Sequence, residues 1–227
     1  MVAVVVIVEG QTEERFVKQL VAPALRHLKI FLKPELLPTS RTGKGGAVSF
    51  DRFKFHAVNA LKNQKTDVVT TFLDLYALDT RFPGFGDALT KGTLDAKVEC
   101  LNQSLHEALV AHAGCRPERF IAHIQPHEYE GLLFSDVEAL CRIEPDWAVC
   151  AHHLTKVRGG YDTPEHINDG FETKPSKRLE STLTPKYKKT RHGPLAAESI
   201  TLSVIERECR HFRTWINKLR ALTSSTV

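Results

Sequence analysis

The chain has 227 residues, 42% of them hydrophobic, and a net charge of +4, which suits one folded domain and excludes an intrinsically disordered chain. The longest apolar run, residues 2–8, is too short to span a membrane and lacks the basic start and cleavage site of a signal peptide. The five cysteines contain no CxxC pair, which argues against a disulfide framework or a zinc site and predicts a reduced, cytoplasmic protein.

The first predicted elements are a strand, a helix and a second strand. Residues 2–8 (VAVVVIV) are continuously apolar and β-branched, as is typical of a strand covered on both faces. Thr12 is the predicted N-cap of the helix that follows, and Pro23 is expected to kink or shorten it. A short strand is predicted near residues 33–37. A basic, glycine-rich loop around Lys44 comes next.

The same alternation continues along the chain. A helix is predicted over residues 49–61 and a buried strand over 67–75. Residues 79–87, rich in proline and glycine, predict a loop. A helix over 94–113 and a third strand over 119–125 follow. Strands alternating with helices favour right-handed crossovers, so we predict an α/β fold with a mostly parallel central sheet flanked by helices.

Beyond residue 140 the pattern weakens, and helices are predicted at 195–209 and 212–222. We therefore divide the chain into an α/β core, residues 1–140, and a mainly helical, basic C-terminal extension, residues 141–227. The extension is expected to pack on the core and form one compact domain with it.

A basic block runs from Lys174 to Arg191, with seven lysines or arginines against one acid, Glu180. Such a block either forms a solvated face or meets a phosphate-bearing partner such as nucleic acid. The candidate phosphate-binding residues are Lys177, Arg178, Lys188, Lys189 and His192, together with Lys44 of the glycine-rich loop.

Carboxylates lie at or just past the ends of the predicted strands. Glu9 follows the first, Asp74 ends the second, and Glu128 and Glu130 follow the third. Ligands of parallel sheets bind at the carboxyl ends of the strands, so we expect these acids to converge. Converging carboxylates are the ligands that Mg²⁺ or Mn²⁺ prefers, and such ions support phosphodiester cleavage. Each acid alone could instead cap a helix or end a strand without further function.

Several motifs carry a resemblance to known families. Residues 8–13 (VEGQTE) resemble the opening motif of Toprim domains, which occur in topoisomerases, bacterial primases and OLD-type nucleases. More narrowly, from residue 8 to about residue 219, the chain is similar to the family catalogued as domain of unknown function 4276. The matching segments are VEGQTEERFV, FLDLYALDTRFPG, IQPHEYEGLLFSD, PSKRL, KKTRHGPLAAESI and CRHFRTWINKL.

The resemblance implies a Toprim-like fold and metal-dependent nuclease chemistry, often in phage-defence or mobile-element settings. Glu9 would match the Toprim glutamate, and Asp74 the first aspartate of the DxD element. Tyr76 stands where the second aspartate is expected. Either Asp79 or Glu130 then replaces that ligand, or the site holds no metal.

The candidate residues follow from these patterns together. Glu9, Asp74, Glu130 and Lys189 are the candidate catalytic groups. The candidate metal ligands are Glu9, Asp74, Glu130, Glu128 and Asp79. Glu13 and Tyr76 are expected beside them.

Three functions remain open from the sequence. The first is a magnesium-dependent nuclease, and the second is a non-catalytic module that binds nucleic acid or a nucleotide. The third, suggested by analogy with OLD-type systems, is a subunit that acts with an ATPase partner. The stripe Phe212, Trp215, Ile216 and Leu219 is either a docking face for such a partner or part of the core.

Overall fold

A computed structural model describes residues 1–37, 48–168 and 170–223. The predicted loop around Lys44 lies outside these residues. At the centre is a five-stranded sheet in which every strand pair is parallel. The strands are β1 (Val2–Val8), β2 (Ile30–Leu36), β3 (Val68–Asp74), β4 (Phe120–Ile121) and β5 (Ile124–Gln125). Their order is β2-β1-β3-β4, and β5 also pairs with β3. The predicted parallel α/β fold is thus confirmed and is consistent with a Toprim-like arrangement.

The apolar run of β1 is explained by helices on both faces of the sheet. Val4, Val6 and Val8 point into a hydrophobic cluster that continues into the C-terminal helices. Val5 and Ile7 point into a second cluster on the opposite face. Because successive side chains of a strand alternate between faces, both sets must be apolar when both faces are covered.

The α-helices of the described residues come from the whole length of the chain. They are α1 (Gln11–Phe16), α2 (Ala22–Leu25), α3 (Phe50–Lys62), α4 (Phe85–Leu89), α5 (Leu94–Ala113), α6 (Val137–Cys141), α7 (Ala151–Gly159), α8 (Pro175–Thr182), α9 (Lys189–Ile200), α10 (Leu202–Glu208) and α11 (Arg210–Ala221). Shorter 3-10 segments are Arg26–Leu28, Leu75–Ala77, Pro117–Arg119, Tyr129–Ser135, Pro145–Cys150, Pro164–His166 and Phe171–Thr173. None of these described helices is both long enough and apolar enough to cross a bilayer.

The first helix was predicted with the wrong N-cap. Gly10, not Thr12, is the N-cap of α1, and the Thr12 side chain is buried within the helix. Pro23 was expected to kink or shorten the helix, and α1 does end before it, at Phe16, while Pro23 lies in the first turn of α2. A π turn over Val17–Val21 joins α1 to α2.

Other predicted boundaries also need correction. The predicted loop over residues 79–87 includes the start of α4 at Phe85. The helix predicted over 195–209 is two helices, α9 and α10. It begins earlier, at Lys189, and it is interrupted at Thr201, whose φ of 78° is left-handed. A left-handed residue cannot continue an α-helix, so the chain changes direction there.

The third predicted strand is split into β4 and β5 by two residues. Threonine hydroxyls of β3 bond the main chain across this gap. Thr70 Oγ1 donates to the Ile121 carbonyl at 2.7 Å, and Thr71 Oγ1 donates to the His123 carbonyl at 2.8 Å. Thr71 Oγ1 also accepts from the His123 N–H at 2.7 Å. The side chains thus supply hydrogen bonds where the main-chain ladder is interrupted.

The C-terminal helix α11 is part of the core. Its apolar stripe, Phe212, Trp215, Ile216 and Leu219, is buried, so the interpretation as a docking face was wrong. Trp215 stacks on His123 with ring centroids 4.9 Å apart, and its Nε1–H donates to Thr70 Oγ1 at 2.9 Å. Since one hydrophobic cluster contains residues from β1 and from α11, the extension and the sheet share a core.

Candidate metal centre

Three carboxylates meet at the carboxyl ends of β1 and β3. Glu9 follows β1, Asp74 ends β3, and Glu13 lies in the first turn of α1. One oxygen from each lies within 4.8 Å of the others. The pairing of β1 with β3, in which Val8 is opposite Phe72, brings Glu9 and Asp74 to the same edge. We call Glu9, Glu13 and Asp74 the acid triad.

Gly10 allows Glu13 to join the triad. A Cβ atom built on Gly10 would lie 2.8 Å from Glu13 Oε2, closer than real Cβ atoms approach an oxygen. The absence of a side chain at the turn therefore lets the Glu13 carboxylate fold back toward the strand end. Glu13 was expected only beside the candidate ligands, and the structure places its carboxylate within 4.8 Å of those of Glu9 and Asp74.

Burial disfavours negative charge on the triad. Desolvation, followed by repulsion from Glu13, raises the pKa of Glu9 to about 8. Burial also raises the pKa of Glu13, and burial with repulsion from Glu9 raises the pKa of Asp74 well above its usual range. Glu9 Oε2 is buried and has no hydrogen-bond partner among the described residues. A cation at the triad would compensate these buried charges.

Asp74 also accepts a hydrogen bond from a residue that contacts the C-terminal extension. The Tyr129 N–H donates to Asp74 Oδ1 at 2.8 Å, and the buried Tyr129 hydroxyl donates to the Gly193 carbonyl at 3.0 Å. Tyr129 begins the 3-10 segment Tyr129–Ser135, and Gly193 lies in α9. These bonds connect the end of β3 to the C-terminal extension.

Two lysines neutralise the other predicted acids. Lys189 Nζ lies 3.0 Å from Glu130 Oε2 and 3.9 Å from Glu128 Oε1. Glu128 also accepts from Lys174 Nζ at 2.7 Å and from the Ser176 N–H at 3.0 Å. Burial alone would raise the pKa of Glu128, but Lys189, Lys174 and Ser176 together lower it.

Glu130 is fully buried, and its pKa is shifted in the opposite direction to that of Glu128. Burial raises the pKa of Glu130 to about 7, even though Lys189 opposes this shift. Its Oε1 atom is buried with no hydrogen-bond partner among the described residues, and the same holds for the Tyr187 hydroxyl. Glu130 could therefore exchange a proton near neutral pH.

Asp79, the remaining predicted ligand, and Tyr76 have surroundings that differ from those of the other acids. Asp79 pairs with Arg81 at 2.8 Å and is not a member of the acid triad. Although burial opposes the change, hydrogen bonds from Arg81 lower the pKa of Asp79. Tyr76 is 44% exposed, and its ring lies 5.4 Å from that of His127.

The described candidates for phosphate binding have different surroundings. Lys177 is half-buried and lies 3.6 Å from Glu180, whereas Lys188 is exposed. The Arg178 guanidinium donates to the Thr173 carbonyl and the Tyr161 hydroxyl. His192 is buried, and its ring meets that of Trp147 edge-on at 4.8 Å, so solvent hardly reaches it. Of these, Lys189 is the one whose ammonium the structure places on the acids.

Two groups near the site were not singled out by sequence reasoning. Lys174 was counted only as part of the basic block, and Tyr187 was not considered. Both pair or pack with residues more than 40 positions away, as in the Lys174–Glu128 contact. No local pattern predicts such partners. The one available signal was the presence of both residues in a segment rich in lysine.

Gly193 sets the distance between α9 and the site. A Cβ atom there would lie 3.0 Å from Thr12 Cγ2, 3.0 Å from the Tyr187 hydroxyl and 3.2 Å from Tyr129 Cε1. We expect Gly193→Ala to lower the free energy of unfolding by about 2 kcal/mol, because three buried neighbours would have to move. Urea unfolding followed by circular dichroism measures this.

Gly159→Ala is the matched control. Gly159 is also helical, but a Cβ atom there would meet nothing within 4 Å. We expect this variant to be neutral or slightly stabilised, since alanine favours a helix. Equal stability losses in both variants would show that close packing at Gly193 is not the cause.

The arrangement can bind a hard divalent cation. The acid triad offers carboxylate oxygens on three rigidly placed elements, which is the ligand set of Mg²⁺ or Mn²⁺. Three protein ligands would leave coordination positions open for water and a phosphate oxygen. Lys189, with its side chain 41% exposed, adds positive charge at the same rim.

Comparison with known proteins identifies one family. The family model described as Domain of unknown function (DUF4276) matches residues 8–220, which is nearly the whole chain. No curated protein and no solved structure matches the sequence.

Proposed function

For a chain that belongs to the DUF4276 family, we propose the function of a divalent-metal-dependent phosphodiesterase that cleaves nucleic acid. The acid triad is the observation that carries this proposal. Its three carboxylates lie within 4.8 Å of one another at the carboxyl ends of parallel strands, where ligands of such sheets bind. Mg²⁺ is the proposed cofactor, and Mn²⁺ is expected to replace it.

The electrostatics of the triad support a bound cation. Burial is the largest cause of the raised pKa of Glu9, Glu13 and Asp74, and repulsion between triad carboxylates adds to it for Glu9 and Asp74. A divalent cation would turn this repulsion into attraction. When bound, the ion would act as a Lewis acid toward a phosphate oxygen.

The protein groups around the triad have separate roles. Hydrolysis forms a bond between a water oxygen and phosphorus and breaks the bond to the leaving sugar oxygen, which takes up a proton. Glu130, with a pKa of about 7, can hold or release a proton near neutral pH. Lys189 can stabilise negative charge that grows on the phosphoryl oxygens.

The charge distribution supports a polyanionic substrate. The basic block from Lys174 to Arg191 contains both lysines that contact the acids, and it also contains the half-buried Lys177 and the exposed Lys188. Such a block attracts nucleic acid by neutralising phosphates. A kinship with Toprim-containing nucleases, a cytoplasmic location and a role in phage defence or in a mobile element belong to the same proposal.

Incubation with nucleic acid tests the proposal. Single- and double-stranded DNA and RNA would each be incubated with the full-length protein in Mg²⁺, Mn²⁺ or EDTA. We expect cleavage of at least one substrate with either ion and none in EDTA. If all four substrates remain intact with both ions, or if cleavage persists in EDTA, the proposed activity is wrong.

Tyr76 favours a second candidate, a module that binds nucleic acid without cleaving it. Tyr76 occupies the position where a second strand-end acid is expected, and its half-exposed ring could stack on a base. This candidate predicts binding that weakens with salt and with Lys188→Ala, and no turnover in any metal. An ATPase partner, suggested by the resemblance to OLD-type systems, would be sought by copurification with the tagged protein.

A further inference from the structure

The acids near the carboxyl ends of the strands form two groups, which differ in whether a positively charged side chain pairs with them. Among the described residues, no lysine, arginine or histidine nitrogen forms an ion pair with Glu9, Glu13 or Asp74. Glu128 and Glu130, in contrast, share the Lys189 ammonium at 3.9 Å and 3.0 Å. The two groups are close enough that the charge of Lys189 acts on Glu9 and on Asp74.

We propose that the centre takes a single divalent ion, at Glu9, Glu13 and Asp74, and that the Lys189 ammonium beside Glu128 and Glu130 replaces a second ion. This inference rests on the proposed function and specifies its metal stoichiometry. In two-metal phosphodiesterases the ions lie about 3.5–4 Å apart and share the charge of the transition state. Here five acids surround the rim, and the charge of two of them is already balanced by lysine.

The position of Lys189 is fixed by its helix. Lys189 is the first residue of α9. The next residue, Thr190, accepts a hydrogen bond from Arg15 Nη1 at 2.8 Å through its carbonyl, and Gly193 accepts from the Tyr129 hydroxyl. The first turn of α9 is therefore bonded to α1 and to the segment that begins at Tyr129. A side chain that starts from such a fixed turn can present its ammonium without a large ordering cost.

The Lys189 side chain is partly accessible to solvent. It is 41% exposed, whereas the carboxylates of Glu128 and Glu130 are almost fully buried. A phosphate oxygen that approaches along the exposed part of this side chain would come close to the ammonium while the ammonium keeps its contact with the buried acids. On the buried side, Glu130 contacts the ammonium through Oε2 at 3.0 Å, and its Oε1 atom is buried.

A second divalent ion would compete with the existing partners of Glu128 and with the charge of Lys189 beside Glu130. Glu128 already accepts hydrogen bonds from Lys174 and from the Ser176 N–H, so its two oxygens have partners. An ion close to Glu130 would be repelled by the Lys189 ammonium. Among the described acids of this edge, the three of the triad form no ion pair with lysine, whereas Glu130 pairs with Lys189 through Oε2.

Counting bound ions tests the inference. Isothermal titration of the full-length protein with Mn²⁺, with anomalous scattering from Mn²⁺-soaked crystals, gives number and position. We expect one Mn²⁺ per chain, at the triad. Two ions per chain would overturn the role assigned to Lys189 and leave metal-dependent hydrolysis standing. No bound ion would overturn both proposals.

Variants of Lys189 separate the charge from the fold. Lys189→Gln removes a positive charge beside the triad, so we expect Mn²⁺ to bind several-fold more tightly, while cleavage falls by about 10²-fold. Lys189→Arg retains the charge and is expected to keep the Mn²⁺ affinity of the native protein, which covers the case that the glutamine variant does not fold. Lys18→Gln, on the exposed side of the π turn, is the control and should not change Mn²⁺ affinity. Unchanged or weaker Mn²⁺ binding in a folded Lys189→Gln variant would contradict the inference.

Discussion

Replacement of Asp74 by asparagine is expected to lower metal-dependent cleavage by about 10³-fold. The substitution keeps the size of the side chain and an oxygen that can accept from the Tyr129 N–H, so the fold should persist. It removes one of three negative ligands. A metal ion stabilises the transition state by several kcal/mol, and each 1.36 kcal/mol corresponds to a factor of about ten in rate. Initial rates on the best substrate, measured with saturating Mg²⁺, check this value.

Asp87→Asn is the matched control for this substitution. Asp87 is exposed on α4 and is not a member of the acid triad. We expect its rate to equal that of the native protein. Glu9→Gln should behave like Asp74→Asn, because it removes a ligand from the neighbouring strand end. Retention of activity by a folded Asp74→Asn variant would exclude Asp74 as a ligand, and equal losses in Asp74→Asn and Asp87→Asn would point to a general effect of charge.

In EDTA, the melting temperature is expected to fall by roughly 5 °C between pH 5 and pH 8. The native state binds protons at Glu9, with a pKa of about 8, and at Glu130, with a pKa of about 7. The unfolded chain releases these protons near 4.5. Because the native state then holds more protons than the unfolded state, the free energy of unfolding decreases as the pH rises through this window. A fall of this size corresponds to about 2 kcal/mol for a domain of this length.

Added Mn²⁺ should reverse this loss. Metal binding requires deprotonated carboxylates, so the rise in melting temperature on adding Mn²⁺ is expected to be larger at pH 8 than at pH 5. Glu9→Gln should flatten the pH dependence in EDTA, and Glu14→Gln, one position beyond Glu13 in α1, should leave it as in the native protein. A native melting temperature that stays constant or rises between the two pH values in EDTA would show that folding does not raise the pKa of these acids.

The fold could be predicted where the sequence itself contains the physical cause. The run of β1 is apolar because both sheet faces are covered. The helix predicted over residues 94–113 has the bounds of α5, because Gly114 adopts the left-handed conformation that ends it. The break between β4 and β5 could not be predicted. It depends on hydroxyl groups of Thr70 and Thr71, more than 50 positions away.

The candidate site was predictable to a similar extent. The expectation that Glu9 and Asp74 meet follows from parallel strands, whose carboxyl ends share one edge. The inclusion of Glu13 depends on how the first turn of α1 folds back at Gly10, and local pattern does not show this. The pairing of Glu128 with Lys174 and of Glu130 with Lys189 depends on the path of the C-terminal extension, which the weak pattern after residue 140 left undetermined.

The shared core has a genetic consequence. A message that ended near codon 140 would still encode all five strands and the complete acid triad. Its product would lack Trp147, Ile205 and Trp215 from the cluster that covers one sheet face, and it would lack Lys189. Truncated alleles should therefore behave as null alleles, although every carboxylate of the triad is present in them.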